Sequence, residues 1–77
     1  MKHFLDYVVR SLVDNPDDVQ ITEIAGKGET VYRVSLHPAD VGLVIGKGGR
    51  TISAIRSLIN TANKSGDRLA VEIVENT

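Results

Sequence analysis

A length of 77 residues, no cysteine and a formal net charge of −1 limit what this chain can be. The length allows one domain, residues 1–77, whose small core favours association with a second chain. The lack of cysteine excludes thiolate metal sites, thiol nucleophiles and disulfides, and favours a reducing compartment. No apolar run is long enough for a signal peptide or a membrane span, so we expect a cytoplasmic protein without membrane contact.

The charges are distributed unevenly along the chain. Acidic residues concentrate in the first third, whereas basic residues gather at and after a glycine-rich segment, as Lys47, Arg50 and Arg56. A net charge near zero argues against strong non-specific binding to nucleic acid, because phosphate neutralisation provides most of that affinity. Any such binding is therefore expected to be local and weak.

In the first half of the chain, periodicity predicts a helix and a β-hairpin. Apolar residues at helical spacing predict the helix over residues 2–14. Residues 19–24 alternate but slip by one position near Ile24, which is typical of a strand with a bulge. After a glycine turn, clean alternation over residues 31–36 predicts the partner strand. One face of that strand carries the large apolar side chains Tyr32, Val34 and Leu36.

In the second half, two helices precede a last strand. Residues 38–40 form a helix start, and the helix that follows should run for about two turns. Gly42 within it indicates close packing by a neighbouring element. Residues 50–64 carry apolar side chains over an arc of roughly 160°, which predicts a longer helix. Residues 69–73 alternate as a strand, and the tail over residues 75–77 should fray.

The element order is therefore helix, strand, strand, helix, helix, strand. A hairpin followed by two helices and a returning strand predicts an α+β fold, in which the helices cover one face of a three-stranded sheet. No repeat or low-complexity segment interrupts this order.

The segment that joins the two later helices is rich in glycine, and residues 46–49 are called the glycine loop below. Gly46, Gly48 and Gly49 carry no Cβ, so another backbone can approach closely. The first amides of the following helix should point outward without partners, beside Lys47 and Arg50. Such a helix start is suited to a phosphate group. The loop therefore predicts a clamp for a nucleic-acid backbone.

Two better-known phosphate motifs do not fit this segment. A Walker A loop requires a preceding strand and a first glycine, where this chain has a helix and Val41. A dinucleotide fingerprint read from Gly46 has Thr51 at its third glycine and again lacks the strand. Both motifs are excluded by sequence and by context.

An Ile-Gly-x-x-Gly turn between two helices, in the element order above, resembles a KH domain. The resemblance covers essentially the whole chain and favours the bacterial type II arrangement. Residues 40–56 are similar to the KhpA (YlqC) family of small bacterial KH-domain RNA-binding proteins. That family implies cytoplasmic RNA binding, homodimerisation and pairing with the larger KH-domain protein KhpB, also called Jag or EloR. Leu43 departs from the pattern, because many members carry lysine or arginine at that position.

The resemblance implies a site for single-stranded RNA, since KH domains hold about four nucleotides with this loop against the backbone. Gly46 and Gly49 would shape the turn, and Lys47 and Gly48 would form its exposed tip. Three aliphatic residues would provide a floor for the bases, with Arg33 on the opposite wall. The implied RNA-binding residues are Val44, Ile45, Gly46, Lys47, Gly48, Gly49, Arg50, Thr51 and Ile52. No aromatic residue lies close to the loop in sequence, so an aromatic stacking platform is not expected.

The wide apolar arc of the second long helix has two interpretations. It either packs entirely in the core, or part of it forms a dimer interface. The candidate interface residues are Ile55, Leu58, Ile59 and Ala62.

We interpret the chain as a non-catalytic single-stranded RNA-binding KH protein that acts as a post-transcriptional regulator or RNA chaperone. It would work as a homodimer or with KhpB. No nucleophile, base and orienting group can be assembled, and His3 and His37 are too isolated to bind a metal, so no cofactor is expected. The alternative is a protein–protein interaction subunit whose nucleic-acid loop is vestigial. Single-stranded DNA also remains open as a ligand, because nothing here selects the 2′-hydroxyl.

Overall fold

The computed structural model describes residues 1–76, in which three α-helices and three β-strands follow the predicted order. Short 3-10 turns lie before β1, before α2 and within the glycine loop. The elements are α1 (Lys2–Leu12), β1 (Gln20–Ala25), β2 (Glu29–Leu36), α2 (Val41–Ile45), α3 (Arg50–Ala62) and β3 (Arg68–Glu75). Both long helices end two residues before their predicted ends. None of the helices in the described residues is long and apolar enough to cross a bilayer.

The three strands form one mixed sheet in the order β1-β2-β3. β1 pairs antiparallel with β2, and β2 pairs parallel with β3. The predicted bulge in β1 is wrong, because pairing runs without interruption from Gln20 opposite Ser35 to Ala25 opposite Thr30. Ile24 breaks the hydrophobic alternation because it lies on the open face of the sheet, where it is 42% exposed.

The helices cover one face of the sheet, and the core lies between them. The predicted inward face of β2 is confirmed, since Tyr32, Val34 and Leu36 are all buried. From α3, the residues at helical spacing on one side complete the core. The buried apolar side chains are Leu5, Val9, Val19, Ile21, Tyr32, Val34, Leu36, Val44, Ile52, Ile55, Ile59, Leu69 and Val71.

A buried carboxylate joins the end of α1 to the start of α2. Asp40 accepts hydrogen bonds from the backbone N–H of Asp14 (3.3 Å) and of Asn15 (3.0 Å). The Asn15 side-chain amide adds a third bond at 3.1 Å. Burial alone would raise the pKa of Asp40, but these hydrogen bonds outweigh it and hold the pKa below its ordinary value. The carboxylate therefore satisfies the backbone of the loop that leaves α1.

The chain end is more ordered than the sequence suggests. Glu75 belongs to β3, and the N–H of Asn76 donates to the carbonyl of Leu36 at 2.7 Å. The Asn76 side chain donates to the carbonyl of Asp18 at 2.9 Å and also bonds to Ser35. Fraying is therefore wrong for residues 75 and 76, while Thr77 lies outside the described residues.

Candidate functional site

The glycine loop is a tight 3-10 turn between α2 and α3. Its first residue, Gly46, has φ 77° and ψ 169°, a backbone conformation open almost only to glycine. The N–H of Gly46 bonds to the carbonyl of Gly42 at 2.9 Å and closes α2. The N–H of Gly49 then bonds to the carbonyl of Gly46 at 3.1 Å. The turn is therefore fixed by its own backbone before any ligand arrives.

Gly46 also lies against the first turn of α3. A Cβ added at Gly46 would lie 2.2 Å from the Thr51 hydroxyl oxygen and 2.8 Å from the Thr51 backbone nitrogen. Real Cβ atoms do not approach other atoms so closely. Thr51 itself is half-buried. Gly46 is therefore required for packing, and the Gly46–Thr51 contact fixes the loop relative to the helix.

The last two residues of the loop are glycines that lie in open space. Gly48 is exposed, and a Cβ added at Gly48 or Gly49 would meet no protein atom within 4 Å. The same is true of Gly42, so the close neighbour expected at Gly42 is not found among residues 1–76. A ligand backbone can therefore reach the main chain of α2 and of the loop.

Two basic side chains flank this bare surface. Lys47 and Arg50 are both exposed. The ion pairs among residues 1–76 join Arg10 to Asp6 and Arg33 to Glu72, so neither Lys47 nor Arg50 is neutralised by a carboxylate. Their charge remains available to an anion.

The start of α3 offers fewer free amides than predicted. Gly49 is the N-cap, and no side chain caps the helix within the described residues. The N–H of Arg50, however, donates to the carbonyl of Lys47, and that of Gly49 is already used within the loop. The prediction that the first amides are all unpaired is corrected for these two, so the positive side chains matter more for anion binding.

The aliphatic residues beside the loop belong to the core. Val44 is fully buried and Ile52 is only 6% exposed, so their side chains cannot form the predicted floor for bases. Ile45 is partly buried and packs against the same core. Val44 and Ile45 of α2 and Ile52 of α3 therefore anchor the two ends of the loop in the core, where α2 and α3 pack against each other.

The candidate dimer residues of α3 divide in the same way. Ile55 and Ile59 are buried inside the monomer, which removes them from any interface. Leu58 is 47% exposed and Ala62 is exposed. The wide apolar arc therefore packs in the core on one side and faces solvent on the other.

Arg33 is on the wrong side of the molecule for its predicted role. It lies on the open face of the sheet, where its guanidinium is 3.4 Å from the carboxylate of Glu72 in the adjacent strand. The helices and the glycine loop are on the opposite face. Arg33 therefore cannot form the second wall of a site built around the loop.

A separate cleft lies between α3 and the outer edge of β3. This cleft has a volume of about 270 Å³ and contains no carboxylate. Within it, the guanidinium of Arg56 donates to the carbonyl of Val71 at 3.1 Å. The lining residues are Arg56, Asn60, Arg68, Leu69, Ala70 and Val71. Of these residues, only Arg56 was connected with the glycine loop from the sequence, as one of the basic residues that follow it. The others come together through contacts between α3 and β3 that no local sequence pattern reveals.

A larger cavity at the end of the open sheet face has the opposite charge. Its volume is about 490 Å³, and its lining includes the carboxylates of Asp17, Asp18 and Glu75. Three carboxylates repel a polyanion, so this cavity is unsuited to phosphate. The carboxylates of this cavity are therefore not part of the cleft that Arg56 and Arg68 line.

A loop of the form Ile-Gly-x-x-Gly between two helices, against a three-stranded sheet in this order, defines the chain as a KH domain of the type II arrangement. The family model described as "KhpA/KhpB, KH domain" matches residues 2–73. The chain belongs to this family.

Curated relatives match over nearly the full length of both chains. RNA-binding protein KhpA of Chlamydia pneumoniae is 43% identical over 76 residues, covering 97% of each chain. The protein of the same name from Clostridium acetobutylicum is 43% identical over 75 residues, covering 96% of this chain and all of the relative. The protein of the same name from Mycobacterium tuberculosis is 41% identical over 71 residues, covering 92% of this chain and 86% of the relative.

Proposed function

We propose that this chain binds single-stranded RNA without catalysis, and that the glycine loop holds the RNA backbone. The observation that carries the proposal is the bare, exposed loop with two unneutralised cations beside it. A phosphate can approach the main chain at Gly48 and Gly49 because no side chain intervenes. Lys47 supplies a mobile point charge, and Arg50 supplies a planar fork that can hold two phosphate oxygens. The names of the relatives, which call them RNA-binding proteins, support the same ligand class.

The cleft between α3 and β3 is the natural continuation of this site. Strand β3 returns alongside α3, so a chain of nucleotides held at the loop can place its bases against the edge of β3. Arg56 lines that cleft and can stack on or bond to bases. Aromatic stacking has no part here, because Tyr32 is buried and the exposed Phe4 and Tyr7 lie on α1.

The charge distribution makes the expected binding weak and local. With a net charge of −1, the protein as a whole does not attract RNA. If Lys47 and Arg50 neutralise two phosphates, log Kd should change with log salt concentration with a slope of about 1.4. This modest dependence fits a regulator or RNA chaperone that acts in the cytoplasm on exposed single strands.

The decisive experiment places acidic residues at the tip of the loop. Lys47→Asp combined with Gly48→Asp should weaken binding to a labelled single-stranded RNA at least tenfold, because repulsion replaces attraction at the backbone contact. Fluorescence anisotropy measures the affinity, and circular dichroism checks the fold. A matching DNA oligonucleotide tests the preference for RNA.

The β1–β2 turn offers a matched control. Lys27 and Gly28 are also exposed, Gly28 also has a positive φ, and a Cβ there meets no atom within 4 Å. Lys27→Asp combined with Gly28→Asp therefore makes the same change of sequence and charge at a different place. If both double variants weaken RNA binding equally, or if neither does, the loop is not the clamp and the vestigial-loop alternative is favoured.

We further propose that the chain works as a homodimer, or with KhpB, through the exposed side of α3. Leu58 and Ala62 remain as the contact residues, and Leu43 of α2 is a second exposed leucine, at 44%. Leu58→Arg should lower the mass measured by sedimentation equilibrium toward that of one chain. Ser57→Arg, which adds the same charge at the neighbouring exposed position, is the control. An unchanged mass for a folded Leu58→Arg variant would contradict an interface on this side of α3.

A further inference from the structure

The outer edge of β3 presents backbone hydrogen-bonding groups in two different states. The backbone groups of the even-numbered residues of β3 bond to β2. The N–H of Arg68 donates to the carbonyl of Gly28, and the N–H of Asn76, directly after β3, donates to the carbonyl of Leu36. Strand backbone groups alternate in direction, so Leu69, Val71 and Ile73 direct theirs outward. An edge strand with open groups can pair with any partner that offers donors and acceptors at the right spacing.

The half of this edge farthest from the glycine loop is closed by α3. The side-chain amide of Asn60 donates to the carbonyl of Leu69 at 2.9 Å, and its oxygen accepts the N–H of Leu69 at 2.9 Å. The same amide nitrogen also donates to the carbonyl of Arg56 at 2.9 Å, which holds the side chain in place. The guanidinium of Arg56 donates a hydrogen bond to the next outward carbonyl, that of Val71, at 3.1 Å.

The half nearest the loop is open. Among residues 1–76, no side chain bonds to the N–H of Val71 or to either outward group of Ile73. From Asn60 to Arg56, α3 advances about 6 Å, and from Leu69 to Val71, β3 advances about 6.7 Å. The next such step brings Ile73 level with the first turn of α3, directly after the glycine loop. The open groups therefore adjoin the proposed phosphate contact.

We propose that Asn60 limits the length of RNA that the cleft can read, by occupying the place of one base. A carboxamide presents one donor and one acceptor side by side, which is also what the pairing edge of a nucleobase presents. Asn60 makes with Leu69 the two bonds that such a base would make. A base that reaches this level gains nothing unless it displaces Asn60, so contacts stop at Val71. This inference rests on the proposed function, because it requires RNA in the cleft.

Removing the side chain tests the idea directly. Asn60→Ala frees both groups of Leu69 for one more base, and two ordinary hydrogen bonds are enough for about a tenfold gain in affinity. The probes are fluorescein-labelled single-stranded oligouridylates of increasing length. For the natural chain, the affinity should stop rising at a certain oligonucleotide length. For Asn60→Ala, the affinity should rise for one further nucleotide and reach a maximum about tenfold higher. Ser57→Ala, an exposed position on the same helix, should behave like the natural chain.

A second measurement uses the unaltered protein and so does not depend on the stability of a variant. In nitrogen-15 NMR spectra, the oligouridylate should shift the backbone amides of Val71 and Ile73, but not the backbone amide of Leu69 or the side-chain amide of Asn60. If Leu69 and Asn60 shift as strongly as Ile73, Asn60 does not hold its place and the inference is overturned.

The loop variants separate failure of this inference from failure of the proposed function. If the natural chain binds no oligouridylate, or if the double aspartate substitution at Lys47 and Gly48 has no effect, the proposed function fails and this inference fails with it. If binding is present and depends on the loop, but Asn60→Ala keeps the length and affinity of the natural chain, only the role of Asn60 is wrong.

Discussion

Gly46→Ala is the substitution for which the structure gives the sharpest expectation. At φ 77° and ψ 169°, an alanine is strained by about 1–3 kcal/mol whatever surrounds it. Its Cβ would also lie 2.2 Å from the Thr51 hydroxyl and 2.8 Å from the Thr51 backbone nitrogen. The nitrogen cannot move without moving the start of α3, so overpacking adds a further cost of about 1–3 kcal/mol.

The combined loss of roughly 2–6 kcal/mol is large for a chain of this size. Domains are stabilised by about 0.05–0.15 kcal/mol per residue, which gives roughly 4–12 kcal/mol for 77 residues. Urea unfolding followed by circular dichroism measures the free energy of unfolding, and we expect the variant to lose at least about a sixth of it. RNA binding should fall in parallel, because the Gly46–Thr51 contact fixes the loop.

Two comparisons separate strain from the steric clash. Gly48 also has a positive φ, 64°, but open space around it, so Gly48→Ala should cost only about 1–2 kcal/mol. Adding Thr51→Ala to Gly46→Ala removes the hydroxyl contact but leaves the Thr51 Cβ position and nitrogen at 2.7 and 2.8 Å, so rescue should be partial. The reasoning is refuted if Gly46→Ala and Gly48→Ala destabilise the protein equally.

Three further results follow from burial and charge. Ile59→Ala should cost about 2–5 kcal/mol by urea unfolding because Ile59 is fully buried, whereas Leu58→Ala should cost under about 1 kcal/mol; similar losses would contradict the assignment of Ile59 to the core. The lowered pKa of Asp40 stabilises the fold above the ordinary carboxyl pKa of 3.8, and this contribution should be lost as pH falls through the lower folded value. In Asp40→Asn, the free energy of unfolding measured over a pH series should fall less at acid pH than in the natural chain. An equal fall in both proteins would exclude this stabilising role of Asp40. The salt dependence of RNA binding should weaken in Arg50→Gln by about 0.7 in the log–log slope, and an unaltered slope would remove Arg50 from the phosphate contact.

Element type and order could be predicted from the sequence because each helix and strand carries its own period. The inward face of β2 is an example, since strict alternation leaves only one arrangement for Tyr32 and its neighbours. The glycine loop was located for the same reason: three glycines and a lysine between two helical patterns have few structural explanations.

The division between core and surface around the loop could not be predicted in the same way. Val44 and Ile52 flank the loop, and an apolar residue beside a binding loop can face either a ligand or the interior. Their burial depends on how α2 and α3 cross, which is a tertiary property. Ile55 and Leu58 show the same limit, since adjacent turns of one apolar arc turned out to have different surroundings.

The cleft itself depends on contacts between residues that carry no signal of their own. Asn60 is a polar residue on a helix, and the bonds to Leu69 exist only because β3 returns beside α3. Arg33 was misplaced for the related reason that charge alone does not reveal which face of a sheet a residue occupies. Asn76 near the chain end is fixed by bonds to Leu36 and Asp18, which are distant in sequence. Such features require the assembled sheet.

The glycines of the loop do different work, and this separates folding from binding. Gly46 is required by packing against Thr51, so the turn takes its shape when the domain folds. A Cβ at Gly48 would meet no atom of the described residues within 4 Å, so glycine there allows the positive φ of 64° and leaves the main chain accessible. In the proposed RNA complex, a preformed loop would lose little conformational entropy on binding, so a few phosphate contacts would suffice in a chain without a basic excess. Substitutions at Gly46 should therefore change stability and binding together, whereas charge changes at Lys47 should change binding alone.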